Sequence, residues 1–302
     1  MNAWRRKYLS GRPWPRVERI RLPLASIEVQ FVDRELALKK IEEWAERGTR
    51  FPRVVFGPEG CGKTAWLRQS AVLLKELGFH VIYVDPLRKY FEAYTDVKEV
   101  ARRLADAAAG ALGDARIWLA TLAIDLTKLL IERMKRRVAV LVDDAFQAIG
   151  LGEAALYVKA LLGLIEHPPK SYERIVAVVA TSEGVTRREI GRHDWADLLP
   201  MWNMPRDGFR QLYDQIPGEK PPFEETWRIT GGNPRLLEEL YEAGWRVEAV
   251  VERLARQKKL KAFVNSLSEA ERGLLRRALD DPDSLMTREG IPLIEKLVDL
   301  NL

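Results

Sequence analysis

Residues 57–64 read GPEGCGKT, and the types and spacing of these residues suit the binding of a phosphate group. The glycines let the backbone curl so that several N–H groups point at one anion. The ammonium of Lys63 can pair with the β- and γ-phosphates of a nucleotide, and the hydroxyl of Thr64 can bind Mg²⁺. We therefore predict a phosphate-binding loop (P-loop) whose nucleotide contacts come from Gly57, Pro58, Glu59, Gly60, Cys61, Gly62, Lys63, Thr64 and Ala65.

A second group of chemically capable residues is an acidic pair at the end of an apolar run. Residues 138–144 read VAVLVDD, which is the Walker B pattern. Asp143 is predicted to hold Mg²⁺, mostly through water. Asp144 is predicted to orient or deprotonate the attacking water. Apolar strands that end in acids are common, but one that lies downstream of a P-loop predicts a site of nucleotide hydrolysis.

Both groups require strands that end at one edge of a sheet, where ligands of open α/β folds bind. The β-branched run 53–56 leads into the P-loop, and a helical pattern follows over 64–77 until Gly78. Pro200 indicates that the start of the last predicted strand lies at a sheet edge. This alternation predicts an α/β fold with a mostly parallel sheet. The further strands are predicted at 79–85, 138–143, 174–181 and 198–204.

Downstream of Pro205 only helical patterns remain. Ser268 and Glu271 form a predicted capping box at the start of one of these helices. Residues 261–302 resemble the helices of a winged helix without an evident wing, with a plain helical bundle as the alternative. Their few basic groups leave contact with a protein partner as an alternative to nucleic-acid binding. The predicted organisation is a basic N-terminal arm over 1–25, a P-loop α/β nucleotide-binding domain over 26–205, a helical lid over 206–256 and a winged-helix-like module over 257–302.

Together these motifs resemble the archaeal P-loop ATPases of the AAA+/STAND group, relatives of the origin-recognition and NB-ARC ATPases. The family's N-terminal box packs on adenine, which implies nucleotide contacts from Val32 and Arg34. The family's lid turn closes over the nucleotide, which implies a contact from Pro234. The resemblance covers about residues 26–255 and implies ATP or ADP as ligand, Mg²⁺ as cofactor and ATPase activity. Besides the Walker motifs it rests on FVDREL at 31–36, VDDAFQ at 142–147 and TGGNPR at 230–235.

The resemblance also implies residues that sense the γ-phosphate. Thr181 and Ser182 end a predicted strand where AAA+ relatives have a polar residue facing the γ-phosphate or the attacking water. We expect Thr181 in that role, with a strand end followed by a helix cap as the alternative. Arg235 follows the lid turn and is predicted to contact the γ-phosphate. The candidates for an arginine finger, with a plain surface helix as the alternative, are Arg187, Arg188 and Arg192.

This sequence departs from the family pattern at the acidic pair. Asp144 stands where the family has Glu and is one methylene shorter, and Ala145 intervenes before Phe146. A displacement of about 1 Å in a catalytic group can lower the rate roughly 10²-fold. Slow or partner-dependent hydrolysis is therefore an alternative to ready turnover.

The composition narrows the class of protein and its surroundings. No apolar run approaches the roughly 20 residues that span a bilayer, so no membrane partner is expected. The single cysteine among 302 residues leaves no disulfide framework, which fits a cytoplasmic location. A charged content of 31% with few Asn and Gln is typical of thermophile proteins. Basic and aromatic residues interleave in the N-terminal arm, which predicts DNA-backbone contact, with a solvated tail as the alternative.

Three functions remain open from the sequence. The first is an ATP-binding and hydrolysing molecular switch, in which the lid closes on ATP with Mg²⁺ and moves the C-terminal module. The second is a DNA-associated loader or remodelling ATPase. The third is a nucleotide-binding scaffold with little turnover. A P-loop phosphotransferase fits less well, because no pocket for a second substrate is evident. The oligomeric state is open.

Overall fold

The computed structural model describes residues 18–109, 115–182 and 190–300. The strands of this part of the chain are β1 (Arg21–Leu24), β2 (Ile27–Gln30), β3 (Arg53–Phe56), β4 (His80–Asp85), β5 (Tyr90–Tyr94), β6 (Arg137–Asp143), β7 (Arg174–Thr181) and β8 (Asp197–Pro200). Six of them form one sheet in the order β5-β4-β6-β7-β3-β8, in which only the β4–β5 pair is antiparallel. The predicted α/β fold with a mostly parallel sheet is confirmed.

The P-loop strand β3 lies between β7 and the edge strand β8. Phe56 at the end of β3 stands opposite Thr181 of β7 and Pro200 of β8. The edge position of β8 agrees with the prediction from Pro200, because proline cannot donate a hydrogen bond to a further strand. The parallel strands thus bring the segments after β3, β6 and β7 to one edge of the sheet.

Each central strand contributes to two separate cores, one on each face of the sheet. In β6, Val138, Val140 and Val142 belong to one buried cluster, whereas Ala139 and Leu141 belong to the other. Successive side chains of a strand point to opposite faces, and helices cover both faces here. Because both faces of β6 are buried, its sequence from Val138 to Val142 is apolar throughout, and this pattern predicts a central strand.

Two elements of the fold do not follow from the sequence patterns. Strand β5 pairs antiparallel with β4 after a turn in which Lys89 adopts a left-handed conformation, with a φ of 52°. Strands β1 and β2 form a separate antiparallel hairpin. The last residues of the predicted basic arm belong to this hairpin, and Leu24 is buried there. Strands this short carry too few residues for a reliable period-2 pattern.

The helix predicted over 64–77 is observed one residue earlier, at Lys63–Glu76. The capping box of Ser268 and Glu271 is confirmed. Within the described residues no helix is long and apolar enough to span a membrane. The helices are α1 (Glu35–Arg47), α2 (Lys63–Glu76), α3 (Lys98–Ala108), α4 (Ala115–Glu132), α5 (Ala145–Ile149), α6 (Leu151–Glu166), α7 (Arg206–Asp214), α8 (Phe223–Thr230), α9 (Pro234–Glu242), α10 (Val247–Gln257), α11 (Leu260–Ser266), α12 (Glu269–Asp280) and α13 (Ile291–Asp299).

The helices after β8 build two smaller cores. The first joins the β1–β2 hairpin to α7, α8 and α9, with Leu24 and Val29 packed among Phe209, Tyr213 and Leu237. The second holds the last three helices together around Phe263, Leu267, Leu274 and Leu293. The division of the chain into an arm, an α/β domain, a lid and a terminal module stays a prediction.

Candidate functional site

A cavity of about 910 Å³ opens at the carboxyl edge of the sheet, between the β1–β2 hairpin and helix α9. Its walls bring together residues that the sequence analysis assigned from separate motifs. Gly57, Pro58, Asp143 and Thr181 are not part of its lining. The predicted residues that line it are Val32, Arg34, Glu59, Gly60, Cys61, Gly62, Lys63, Thr64, Ala65, Asp144, Pro234 and Arg235.

The P-loop glycines are required by backbone conformation and by close neighbours. Gly60 and Gly62 have φ values of 78° and 98°, a left-handed region that side chains disfavour. A Cβ on Gly57 would lie 1.9 Å from the carbonyl oxygen of Met201, just after β8. A Cβ on Gly60 would lie 2.4 Å from Cβ of Arg235. The loop is thus closely approached by Met201 after β8 and by Arg235 at the start of α9.

Lys63 begins helix α2 and is 4% exposed. Its Nζ donates hydrogen bonds to the carbonyl oxygens of Gly57 and Pro58, each at 2.9 Å. The Nζ also lies 3.7 Å from Sγ of Cys61. These contacts hold a positive charge inside the loop at the N-terminus of a helix, where the helix dipole also favours an anion.

Asp143 ends β6 and is fully buried beside the P-loop helix. The hydroxyl of Tyr83 donates to its Oδ2 at 3.3 Å, while Oδ1 is buried and has no hydrogen-bond partner among the described residues. Burial raises the pKa of Asp143, the neighbouring charge of Asp144 raises it further, and the hydroxyl of Thr64 opposes both effects. An unpartnered carboxylate oxygen next to a threonine hydroxyl fits a hard cation such as Mg²⁺.

Asp144 follows in a left-handed backbone conformation, with a φ of 44°. The hydroxyl of Ser182 donates to its Oδ1 at 3.3 Å. Burial raises the pKa of Asp144, and the nearby Lys63 ammonium lowers it. Ser182 lines the cavity, whereas Thr181 is fully buried and lies outside the lining. The hydroxyl of Ser182, one residue after Thr181, thus contacts this acid, and the role of Thr181 stays a prediction.

The lid turn docks directly on the P-loop. Asn233 caps α9 by accepting from the backbone N–H groups of Arg235 and Leu236 at 3.0 and 3.2 Å. Its Nδ2 donates to the carbonyl oxygen of Glu59 at 2.9 Å. Nη1 of Arg235 lies 2.8 Å from Oε1 of Glu59. The predicted turn therefore meets the predicted loop through both backbone and side-chain contacts.

The N-terminal box holds the P-loop from its other side. Nη2 of Arg34 donates to the carbonyl oxygens of Cys61 at 2.5 Å and Trp202 at 2.9 Å. Burial lowers the pKa of Arg34. Val32 is partly buried and packs against the core that joins the β1–β2 hairpin to α7, α8 and α9. Arg34 and Val32 both line the cavity, but Arg34 contacts the loop itself.

Sequence reasoning missed two parts of the cavity wall. The hairpin contributes the apolar side chains of Leu22, Leu24 and Val29. The turn after β4 contributes Arg88, whose guanidinium bonds to Asp85 at 2.6 Å. An acid at the end of β4 was a usable signal for the second part, because parallel strands deliver their last residues to the same edge.

Some predicted features lie elsewhere. Arg192 lies in an exposed turn outside the cavity lining. Arg187 and Arg188 lie outside the described residues, as does the N-terminal arm up to residue 17. The predictions of an arginine finger among Arg187, Arg188 and Arg192 and of a DNA-binding arm therefore stay predictions.

Comparison with known proteins assigns the class. An ATPase domain family found predominantly in Archaea matches residues 31–240, from the N-terminal box into α9. The chain belongs to this family of archaeal ATPase domains, which confirms the resemblance drawn from the motifs. No curated protein sequence matches the chain.

Solved structures of replication proteins are similar to the chain at low identity and low TM-score. The ORC1 protein of Aeropyrum pernix in complex with DNA is 16% identical, with 84% of this chain and 73% of that chain covered and a TM-score of 0.45. The ORC2 protein of the same organism, in ADPNP–ADP complexes, is 16% identical over 80% and 70%, with a TM-score of 0.42. AMPPCP-bound DnaA from Aquifex aeolicus is 16% identical over 80% and 72%, also at 0.42.

Proposed function

We propose that this chain is an ATP-binding and ATP-hydrolysing molecular switch whose helical lid closes on the nucleotide and moves the C-terminal module. The observation that carries this proposal is the direct contact of the lid turn with the P-loop, through Asn233 and Arg235 on one side and Glu59 on the other. A phosphate bound in the loop would change the hydrogen-bond partners of the lid turn and of the P-loop. Binding at one site would thereby bias a hinge between two parts of the chain.

The residues of the cavity divide into phosphate-binding and water-activating groups. The P-loop N–H groups and Lys63 would bind the β- and γ-phosphates. Asp143 and Thr64 would hold Mg²⁺, which when bound would neutralise charge on the phosphate oxygens. Asp144 would orient the attacking water and accept its proton, and the hydroxyl of Ser182 would keep that carboxylate in position.

The base would lie against the hairpin. Leu22, Leu24 and Val29 supply an apolar wall, and Val32 of the N-terminal box adjoins it. Flat aromatic bases bury well on such surfaces, because apolar area removed from water stabilises the complex by about 25 cal/mol per Å². The hairpin also packs on the lid core, so a bound base would touch both moving parts.

Arg235 is the candidate switch residue. Its guanidinium pairs with Glu59 of the P-loop and, at 3.4 Å, with Glu239 of its own helix. Arginine forms charge-assisted and often bidentate hydrogen bonds with phosphate as well as with carboxylate. A γ-phosphate would compete with Glu59 for this guanidinium and draw the lid inward, and its loss after hydrolysis would release the lid.

The first test is the substitution Lys63→Ala. We expect it to abolish tight binding of ATP with Mg²⁺ in titration calorimetry, because the buried ammonium is the fixed cation of the loop. Lys75→Ala is the matched control, since Lys75 is exposed near the end of the same helix and outside the cavity. Retained micromolar ATP affinity in Lys63→Ala would overturn the assignment of the site.

Turnover separates the switch from a nucleotide-holding scaffold. Phosphate release with ATP and Mg²⁺ from the parent protein, above that of Lys63→Ala, is the expected result. Tight nucleotide binding without phosphate release would instead favour a scaffold, or a switch whose hydrolysis requires a partner.

A further inference from the structure

Asp85 and Arg88 form an ion pair at the cavity that none of the predicted motifs includes. Asp85 is the last residue of β4 and is buried. Nη1 of Arg88 donates to its Oδ2 at 2.6 Å, and the backbone N–H of Arg88 donates to its Oδ1 at 3.1 Å. Two bonds to one carboxylate fix the turn, so the guanidinium is held at a defined position.

The guanidinium of Arg88 faces the same space as the predicted reaction centre. Arg88 lines the cavity together with Lys63, Asp144 and Ser182, and its side chain is 59% exposed. Its Nε and Nη2 make no hydrogen bond to any of the described residues. The Nη1 group of the guanidinium is thus bound to Asp85, while the edge formed by Nε and Nη2 can bind a further anion.

The surroundings of Arg88 distinguish it from the other cationic side chains of the cavity. The neighbouring strands β4 and β6 end side by side, which brings Arg88 to the acidic end of the site. The hydrogen bond to Asp85 raises the pKa of Arg88, and the charges of Asp143 and Asp144 raise it further. Of the four other arginines that line the cavity, Arg34, Arg68 and Arg235 donate hydrogen bonds to carbonyl or carboxylate oxygens. The fourth, Arg253, is ion-paired with Glu239.

We propose that Arg88 contacts the terminal phosphate of a bound nucleoside triphosphate from within the same chain, and so makes the site prefer triphosphate over diphosphate. This inference rests on the proposed function, since it concerns the same site. A diphosphate lacks the group that Arg88 would reach, whereas the P-loop contacts serve both nucleotides. The carboxylates of Asp85, Asp143 and Asp144 lie at this end of the cavity. The guanidinium of Arg88 would offset their repulsion of the γ-phosphate.

The test compares the affinities of a non-hydrolysable, methylene-bridged ATP analogue and of ADP, both with Mg²⁺, in titration calorimetry. Arg88→Gln is expected to keep ADP affinity and to lower the preference for the analogue by roughly tenfold or more. Arg88→Lys should retain part of the preference, because the charge remains. Lys89→Gln is the matched control in the same turn, outside the cavity lining, and should behave like the parent protein.

A purely structural role for Arg88 as counter-ion of Asp85 gives a different result. The double variant Asp85→Asn/Arg88→Gln removes both charges and keeps an acceptor for the backbone N–H of residue 88. The proposal expects the preference to stay lost in this variant. Recovery of the parent preference would overturn the proposal, as would an unchanged preference in Arg88→Gln or no preference in the parent protein. Failure of the parent to bind either nucleotide would instead defeat the proposed function itself.

Discussion

Asp144 shows how backbone conformation selects a residue type at the predicted reaction centre. Its φ of 44° lies in the left-handed region, where aspartate and asparagine are tolerated better than longer side chains. Its carboxylate is oriented by Ser182 and stands close to Lys63. A shorter acid in a fixed, hydrogen-bonded position is therefore compatible with a role in water activation.

Asp144→Asn is expected to lower phosphate release by about 10²-fold or more while ATP binding persists, because a positioned general base contributes roughly 10²–10⁴-fold. Asparagine suits the same backbone conformation, so the thermal unfolding midpoint should change little. Steady-state phosphate release and differential scanning fluorimetry measure the two quantities. Asp106→Asn, exposed on α3, serves as the control. Parent-like turnover in Asp144→Asn would remove Asp144 from the chemistry.

At the scale of elements, the P-loop and the turn before α9 form one unit. Asn233 both caps the helix and bonds to the P-loop carbonyl of Glu59, so one side chain stabilises the helix and docks it. Substituting such an N-cap by alanine costs about 1 kcal/mol in helix stability alone. The geometry of the lid is thus tied to the geometry of the loop.

Gly60→Ala should disrupt this docking. Its Cβ would lie 2.4 Å from Cβ of Arg235, so the lid turn must move away from the loop. Gly78→Ala is the matched control, because Gly78 has a similar φ of 82° but an added Cβ meets no atom within 4 Å. Both variants should lose about 1–2 kcal/mol of unfolding free energy from backbone strain.

Only Gly60→Ala should also lose nucleotide affinity, measured by titration calorimetry alongside urea unfolding. Equal affinities in the two glycine variants would show that the contact between loop and lid is irrelevant to binding.

The start of α12 carries a pH-dependent contribution to stability. The ion pair with Lys296, together with hydrogen bonds from Ser268, lowers the pKa of Glu271 to about 2. The pKa of a glutamate in the unfolded chain is about 4.3. The contribution is therefore complete above that value and is lost as the pH falls towards 2.

Glu271→Gln should accordingly be less stable than the parent protein at pH 6, and this difference should shrink progressively between about pH 4.3 and pH 2. Urea unfolding at a series of pH values, followed by circular dichroism, measures it. Lys296→Met should reproduce the profile, because it removes the other partner. A difference that stays constant across the range would contradict the assigned ion pair.

On the scale of the whole molecule, the last three helices are packed largely on one another. Their buried cluster consists of Phe263, Leu267, Leu274 and Leu293. Among the described residues, the two sheet cores and the core of the hairpin with α7, α8 and α9 include none beyond Trp245. The terminal helices thus have a hydrophobic core of their own, as the proposed output of a switch would require.

A chain shortened to residues 1–257 is expected to retain the nucleotide affinity of the parent within about threefold, because the cavity is complete without the terminal helices. Titration calorimetry checks the affinity, and near-ultraviolet circular dichroism checks the packing of the core. A collapse of binding in a folded, shortened chain would show that the terminal module forms part of the site.

Local patterns were sufficient to predict the P-loop, the Walker B acids, the parallel sheet and the later helices. These features depend on residues close together in the chain: a glycine pattern, an apolar strand and a capping box are each written within a few positions. Family resemblance extended this reading to the N-terminal box and the lid turn, which the family match covers.

The tertiary structure decided which distant residues share the cavity. It brought the β1–β2 hairpin against helices α7, α8 and α9, Ser182 to Asp144, and Arg88 to the acidic end of the site. These contacts depend on strand order, register and the turns between elements, and none is written in a short window. Sequence alone determined the chemistry that the chain can carry, whereas packing determined which groups face one another, because each side chain's neighbours come from other segments of the fold.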